Sequence, residues 1–102
     1  MSDRVSNSSG SKTADAAITT QPSILCGIDM ITPTTGTATL VIYDSANSSV
    51  SGKLILAEME VDAGMPSCNH EYMAAVVAQN GLYAVLTDAS VSASYIIRFA
   101  LA

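Results

Sequence analysis

From Pro22 to its C-terminus the chain alternates short runs of β-favouring residues with turn residues, at a spacing of about ten residues. About six such runs are present: residues 24–32, 37–43, 53–61, 72–78, 82–87 and 93–102. No long run with the period of a helix is present among them. Because a half-apolar sheet must bury one face against another, the pattern predicts an all-β fold, an antiparallel two-sheet β-sandwich.

Alternation within the runs predicts which side chains face the core, since successive strand residues point to opposite faces. The predicted inward sets are Ile24, Cys26, Ile28 and Met30; Ala38, Leu40 and Ile42; Ile55, Ala57, Met59 and Val61; and Tyr95, Ile97, Phe99 and Leu101. The second run carries threonine hydroxyls on its other face, which we expect to be outward. Several other runs are apolar on both faces, and we expect their second faces to lie at subunit contacts.

The sequence of one segment is compatible with either a helix or a strand. Residues 72–78 are rich in alanine, which favours a helix, but Val76 and Val77 are β-branched and favour a strand. We predict a strand for residues 72–78.

Asn80-Gly81 is a strong tight-turn dipeptide directly before the run 82–87. It predicts a hairpin between the runs 72–78 and 82–87.

Residues 1–20 contain few large apolar side chains, so this segment buries too little area to offset the entropy of ordering it. We therefore predict two parts, a flexible N-terminal arm at residues 1–20 and a β-sandwich domain at residues 21–102. The arm is either a plain disordered tail or a segment that becomes ordered against a neighbouring subunit.

The amino-acid composition limits the classes of partner that the chain can bind. The formal net charge is -5, and Arg4, Lys12, Lys53 and Arg98 are scattered, which argues against a nucleic-acid partner. Only 13% of residues are charged, so the surface is either made polar by Ser and Thr or buried against other subunits, which we favour. No run is apolar enough to span a membrane and the N-terminus lacks a signal-peptide pattern, so we expect a protein made in the cytoplasm, with Cys26 and Cys68 reduced.

The chemistry-bearing residues form no convincing site. Cys68, His70 and Glu71 lie within four residues, yet zinc needs three or four convergent ligands, and a thiol nucleophile needs an oriented base. The acidic residues Asp44, Glu58, Glu60 and Asp62 do not match the spacing of a calcium loop. We therefore predict that the protein is not an enzyme and has no catalytic residues, cofactor, metal site or small-molecule substrate.

Four phrases carry a resemblance that extends from Ile24 to the C-terminus, about four fifths of the chain. They are Leu25-Cys26-Gly27-Ile28, residues 36–45 (GTATLVIYDS), Ser51-Gly52-Lys53 and residues 80–87 (NGLYAVLT). In these phrases the chain resembles small jelly-roll capsid decoration (cement) proteins of tailed bacteriophages. Residues 65–72 share no phrase with that group, and residues 1–20 are similar in character only.

The resemblance implies a jelly-roll-like sandwich and a structural virion protein on the capsid surface. Such a protein binds the shell of the major capsid protein as a homotrimer and stabilises it, and the N-terminal arm would dock on the shell. A second reading is a tail or head-fibre module for host recognition, which binds glycan or receptor through a concave patch using Tyr43, Tyr83 or Tyr95 beside carboxylates. A third reading, a small thiol or metal enzyme at Cys68 and His70, predicts bound metal or rapid thiol labelling.

Overall fold

A computed structural model describes residues 7–31, 36–62, 68–88 and 93–102, with the backbone alone for residues 68–75 and 88. Every regular element in these ranges is a β-strand. The strands are β1 (Asn7–Ser8), β2 (Ala16–Thr19), β3 (Ser23–Ile31), β4 (Thr37–Asp44), β5 (Ile55–Asp62), β6 (Cys68–Ala78), β7 (Leu82–Asp88) and β8 (Ser94–Leu101). All six predicted runs are strands, and residues 72–78 belong to β6, which confirms the strand prediction there.

The strands form two antiparallel four-stranded sheets. Sheet I has the order β1-β8-β3-β6, and sheet II has the order β2-β7-β4-β5. The first strand pairs with the eighth, the second with the seventh, the third with the sixth and the fourth with the fifth. This pairing is the eight-strand jelly-roll arrangement, so the predicted all-β, jelly-roll-like sandwich is confirmed.

The core lies between the two sheets and is built from alternate residues of the central strands. Sheet II contributes Ala38, Leu40 and Ile42 from β4, as the alternation predicts, and the Thr37 and Thr39 side chains lie on the opposite face. The other buried apolar side chains are Leu25, Ile28, Met30, Val61, Ala78, Leu82, Ala84, Ala93, Tyr95 and Ile97, and Met59 and Phe99 pack against them. Leu101, which was predicted to be inward, and Ile55 are about half exposed, so these two predictions are wrong.

A β-bulge in β3 changes the predicted inward face of that strand. The register of β3 shifts between Leu25 and Gly27 against both of its neighbours. An extra residue reverses the side-chain alternation, so Leu25 is buried before the bulge and Ile28 and Met30 after it. Ile24 and Cys26, predicted to be inward, are only partly buried because they precede or occupy this irregularity.

The predicted hairpin at Asn80-Gly81 is wrong, since β6 lies in sheet I and β7 in sheet II. The dipeptide instead forms a corner at which the chain crosses between sheets. Gly81 has φ +144°, which L side chains rarely adopt, and a Cβ there would meet the Thr19 carbonyl oxygen and lie 3.1 Å from that of Ser45. A glycine is therefore needed for backbone packing at this corner.

The N-terminal segment lies along both sheets from residue 7 onward. β1 pairs with β8, Lys12 forms a bridge with Tyr95, and β2 pairs with β7. Ile18 is the member of β2 that packs against the core. The predicted division at residue 20 and the mobility of residues 1–20 in solution stay predictions.

Candidate interaction surfaces

The sequence cluster around His70 lies on an edge strand of sheet I. The backbone of β6 pairs Cys68 with Met30, His70 with Ile28 and Glu71 with Gly27. The side chains of these β6 residues lie outside the described part of the chain, so the prediction that they form no catalytic site stays a prediction. Among the described residues, no group of three His, Cys, Asp or Glu side chains could hold a metal ion.

The four acidic residues singled out in the sequence are divided between two places. Glu58, Glu60 and Asp62 occupy alternate positions of β5 and are exposed on the outer face of sheet II. The hydroxyl of Thr37 donates to Asp62 Oδ1 at 2.7 Å, and that of Thr39 donates to Glu60 Oε2 at 3.5 Å. These contacts align the carboxylates along the strand, where they are too spread out to share one cation.

Asp44, the fourth of these acidic residues, is buried and has a structural role at the corner between the sheets. Its Oδ2 accepts a hydrogen bond from the backbone N–H of Gln79 at 3.1 Å, and its Oδ1 accepts one from Asn80 at 2.8 Å. Both donors follow β6 of sheet I, whereas Asp44 ends β4 of sheet II. Removing this carboxylate would remove both hydrogen bonds, at a cost of about 0.5–1.5 kcal/mol each.

The three tyrosines proposed for a recognition patch do not all meet. Tyr43 and Tyr83 are directly opposite each other on β4 and β7, on the outer face of sheet II. Tyr95 is fully buried, and its hydroxyl donates to the Ala14 carbonyl oxygen at 2.6 Å. Tyr95 is therefore excluded from any surface patch, and no pocket is found in the part of the chain that the structure describes.

Burial changes the acidity of Tyr95. Removal of the phenol from water raises its pKa from 10.0 to about 12, and the neighbouring charges of Asp15 and Tyr83 add to the effect. Asp15 itself accepts a hydrogen bond from the Leu86 backbone N–H at 2.8 Å. Tyr95 of sheet I and Asp15 together hold the segment that leads into β2 of sheet II.

The outer face of sheet II changes from apolar to acidic across four rows. The first row joins Ile55, Tyr43, Tyr83 and Ala17 across all four strands, and Ile55 is 52% exposed. The second row holds Glu58, Val41 and Val85. The third holds Glu60, Thr39 and Thr87, and the fourth holds Asp62 and Thr37.

Among the described side chains, the outer face of sheet I is aliphatic and includes an ion pair. Ile24, Ile31, Val77 and Ile96 lie on this face, and Val77 is 52% exposed. Arg98 Nη2 lies 3.4 Å from Asp29 Oδ1, with both side chains about one third exposed or less. The two charges of this ion pair offset each other.

No protein-family model, curated protein or solved structure matches this chain. The described ranges contain no helix that is long and apolar enough to cross a membrane. The surfaces above therefore supply the structural basis for assigning a function.

Proposed function

We propose that this chain is a structural virion protein of a tailed phage, a capsid decoration or cement protein that binds the major capsid protein shell as a trimer and stabilises it. The virus assignment rests on the resemblance of residues 24–102 to small jelly-roll cement proteins. The chain would be made in the host cytoplasm and located on the capsid surface. This proposal involves no catalysis, cofactor, membrane or nucleic acid.

The observation that supports an assembly role most directly is the aliphatic outer face of sheet I. Ile31 is 49% exposed and Val77 52% exposed, beside the partly buried Ile24 and Ile96. Four large aliphatic side chains on one sheet face leave apolar area in water, and association with other copies would cover it. The Asp29–Arg98 pair does not oppose such a contact, because its two charges offset each other.

The function is tested by adding the purified protein to undecorated shells of the phage that encodes it. We expect the protein to sediment with the shells, to saturate at a fixed number of trimers per shell, and to raise the temperature at which the shells open. Multivalent attachment would add weak single contacts into stable binding. Absence of sedimentation, or binding without any effect on shell opening, would contradict the proposed function.

A host-recognition module in a tail or head fibre is the second candidate, and the paired Tyr43 and Tyr83 beside Glu58 favour it. Tyrosine faces with nearby carboxylates suit sugar rings and hydroxyls. Specific binding to a glycan array that is lost in Tyr43→Ala and Tyr83→Ala, together with no binding to shells, would favour this candidate.

A further inference from the structure

The two sheets differ in the charge that their strands carry. The strands of sheet II contain Asp44, Glu58, Glu60, Asp62 and Asp88 and not one Lys, Arg or His. The strands of sheet I contain Asp29 and Glu71 together with Arg98 and His70. Sheet II therefore concentrates the negative charge of the chain, and any surface that approaches it meets an anionic field.

The carboxylates of β5 face outward at regular spacing. Glu58, Glu60 and Asp62 are all exposed, and alternate residues of a strand lie about 7 Å apart. Two copies that met through this face would bring carboxylates close to carboxylates, which opposes association. A surface with lysine or arginine side chains would pair with them, so the face is complementary to a basic partner and not to itself.

The apolar end of the same face indicates a protein partner. Ile55 is 52% exposed, and Tyr43 and Tyr83 lie in the same row as Ile55. Tyrosine and aliphatic side chains supply the buried centre of protein interfaces, and charged pairs at their rim provide specificity. An isolated cation or a polyanion such as nucleic acid would leave this row uncovered.

We infer that the outer face of sheet II docks on a basic protein surface, with the row at Tyr43 and Ile55 as its apolar anchor and the β5 carboxylates as its charged contacts. The inference rests on the proposed function, in which this basic surface belongs to the capsid shell. Sheet I is then left for contacts between copies.

The test compares two double variants that raise the net charge equally. Glu58→Gln with Glu60→Gln removes two negative charges from β5, and Thr13→Lys with Gln21→Lys adds two positive charges at exposed positions outside the strands. Each variant is mixed with undecorated shells over a range of salt concentrations. A third variant, Ile55→Ser, probes the apolar end.

We expect the glutamine variant to bind shells roughly 2- to 30-fold more weakly at low salt, with a flatter salt dependence, because exposed ion pairs are each worth a modest amount. The lysine variant should bind with nearly the wild-type affinity, because its added charges lie outside the docking face, and Ile55→Ser should weaken binding at every salt concentration. All variants should keep the wild-type molar mass in solution.

The outcomes of this experiment distinguish a failure of the proposed function from a failure of the docking face. If the wild type does not bind shells, the proposed function fails and the docking face fails with it. If the wild type binds and the glutamine variant binds equally well, the docking face is wrong and the proposed function stands. A loss of trimer in the glutamine variant would also overturn the inference, because sheet II would then be a contact between copies.

Discussion

The two sheets have four strands each, yet their outer faces differ in chemistry. Sheet I presents isoleucine and valine around the offset charges of Asp29 and Arg98, whereas sheet II presents a graded surface that ends in three exposed carboxylates. Both inner faces contribute to one apolar core. The comparison shows that the inner faces are constrained by packing, while each outer face is free to match a different neighbour.

The most direct test of this difference between the two sheets is to place the same charge on each outer face. Ile96 on β8 and Val41 on β4 are both partly buried aliphatic residues on the outer faces of central strands. We expect Ile96→Lys to weaken association of the proposed trimer by more than about 30-fold, because its charge would be buried in an apolar contact, and Asp29, the carboxylate opposite it, already pairs with Arg98. Val41→Lys should leave the molar mass near three times 10.5 kDa, since it lies beside Glu58 on sheet II.

Light scattering behind size exclusion, over a range of protein concentrations, measures both variants. Dissociation in Val41→Lys but not in Ile96→Lys would reverse the assignment of the two faces. A monomeric wild type would remove the trimer from the proposal altogether. Unfolding curves for both variants show whether each remains folded.

A second prediction concerns Tyr95, through which sheet I holds the segment leading into sheet II. Its pKa is raised from 10.0 to about 12 in the folded state, so folding favours the neutral phenol. The stabilisation is complete below pH 10 and is lost as the pH rises through 12, because the unfolded chain ionises first. We expect the wild type to lose about 2 to 3 kcal/mol of unfolding free energy between pH 10 and pH 12.

Tyr95→Phe is the matched control for this pH dependence. It cannot ionise, so its stability should change less over the same interval, although it loses about 0.5–1.5 kcal/mol at neutral pH with the hydrogen bond to Ala14. Urea unfolding at a series of pH values measures both proteins. Equal losses above pH 10 in the two proteins would show that Tyr95 does not carry the effect.

The parts of the fold that were predictable are those in which local pattern and packing agree. Alternation in β4 identified Ala38, Leu40 and Ile42 as buried, because a regular central strand has one register throughout. The same reasoning was wrong for Ile24 and Cys26, since the bulge in β3 reverses the alternation and has no signal in the local composition. The jelly-roll pairing itself joins residues far apart, such as Asn7 with Phe99.

The candidate surfaces were less predictable than the fold. Asn80-Gly81 indicates a tight turn, but its role at a corner depends on Asp44, which lies 36 residues earlier in the chain. Tyr43, Tyr83 and Tyr95 are equivalent in the sequence, and only the three-dimensional arrangement pairs two of them and buries the third. Residues 7–19 are held by backbone and side-chain hydrogen bonds and by one apolar side chain, Ile18. Such pairing needs no alternation of apolar residues, so the sequence of this segment shows no strong strand pattern.

The smallest predicted effect sharpens the comparison, because the same kind of substitution should change stability in opposite directions on the two sheets. Glu58 lies next to the exposed like charge of Glu60 on β5, so Glu58→Gln should raise the free energy of unfolding by a few tenths of a kcal/mol at low salt. Asp29→Asn removes the partner of Arg98 and should lower it by about 0.2–1 kcal/mol. Both differences should shrink as salt screens the charges, and paired denaturant titrations at low and high salt measure them. Changes of the same sign in the two variants would show that net charge, and not the arrangement of charges on each face, controls the stability of this sandwich.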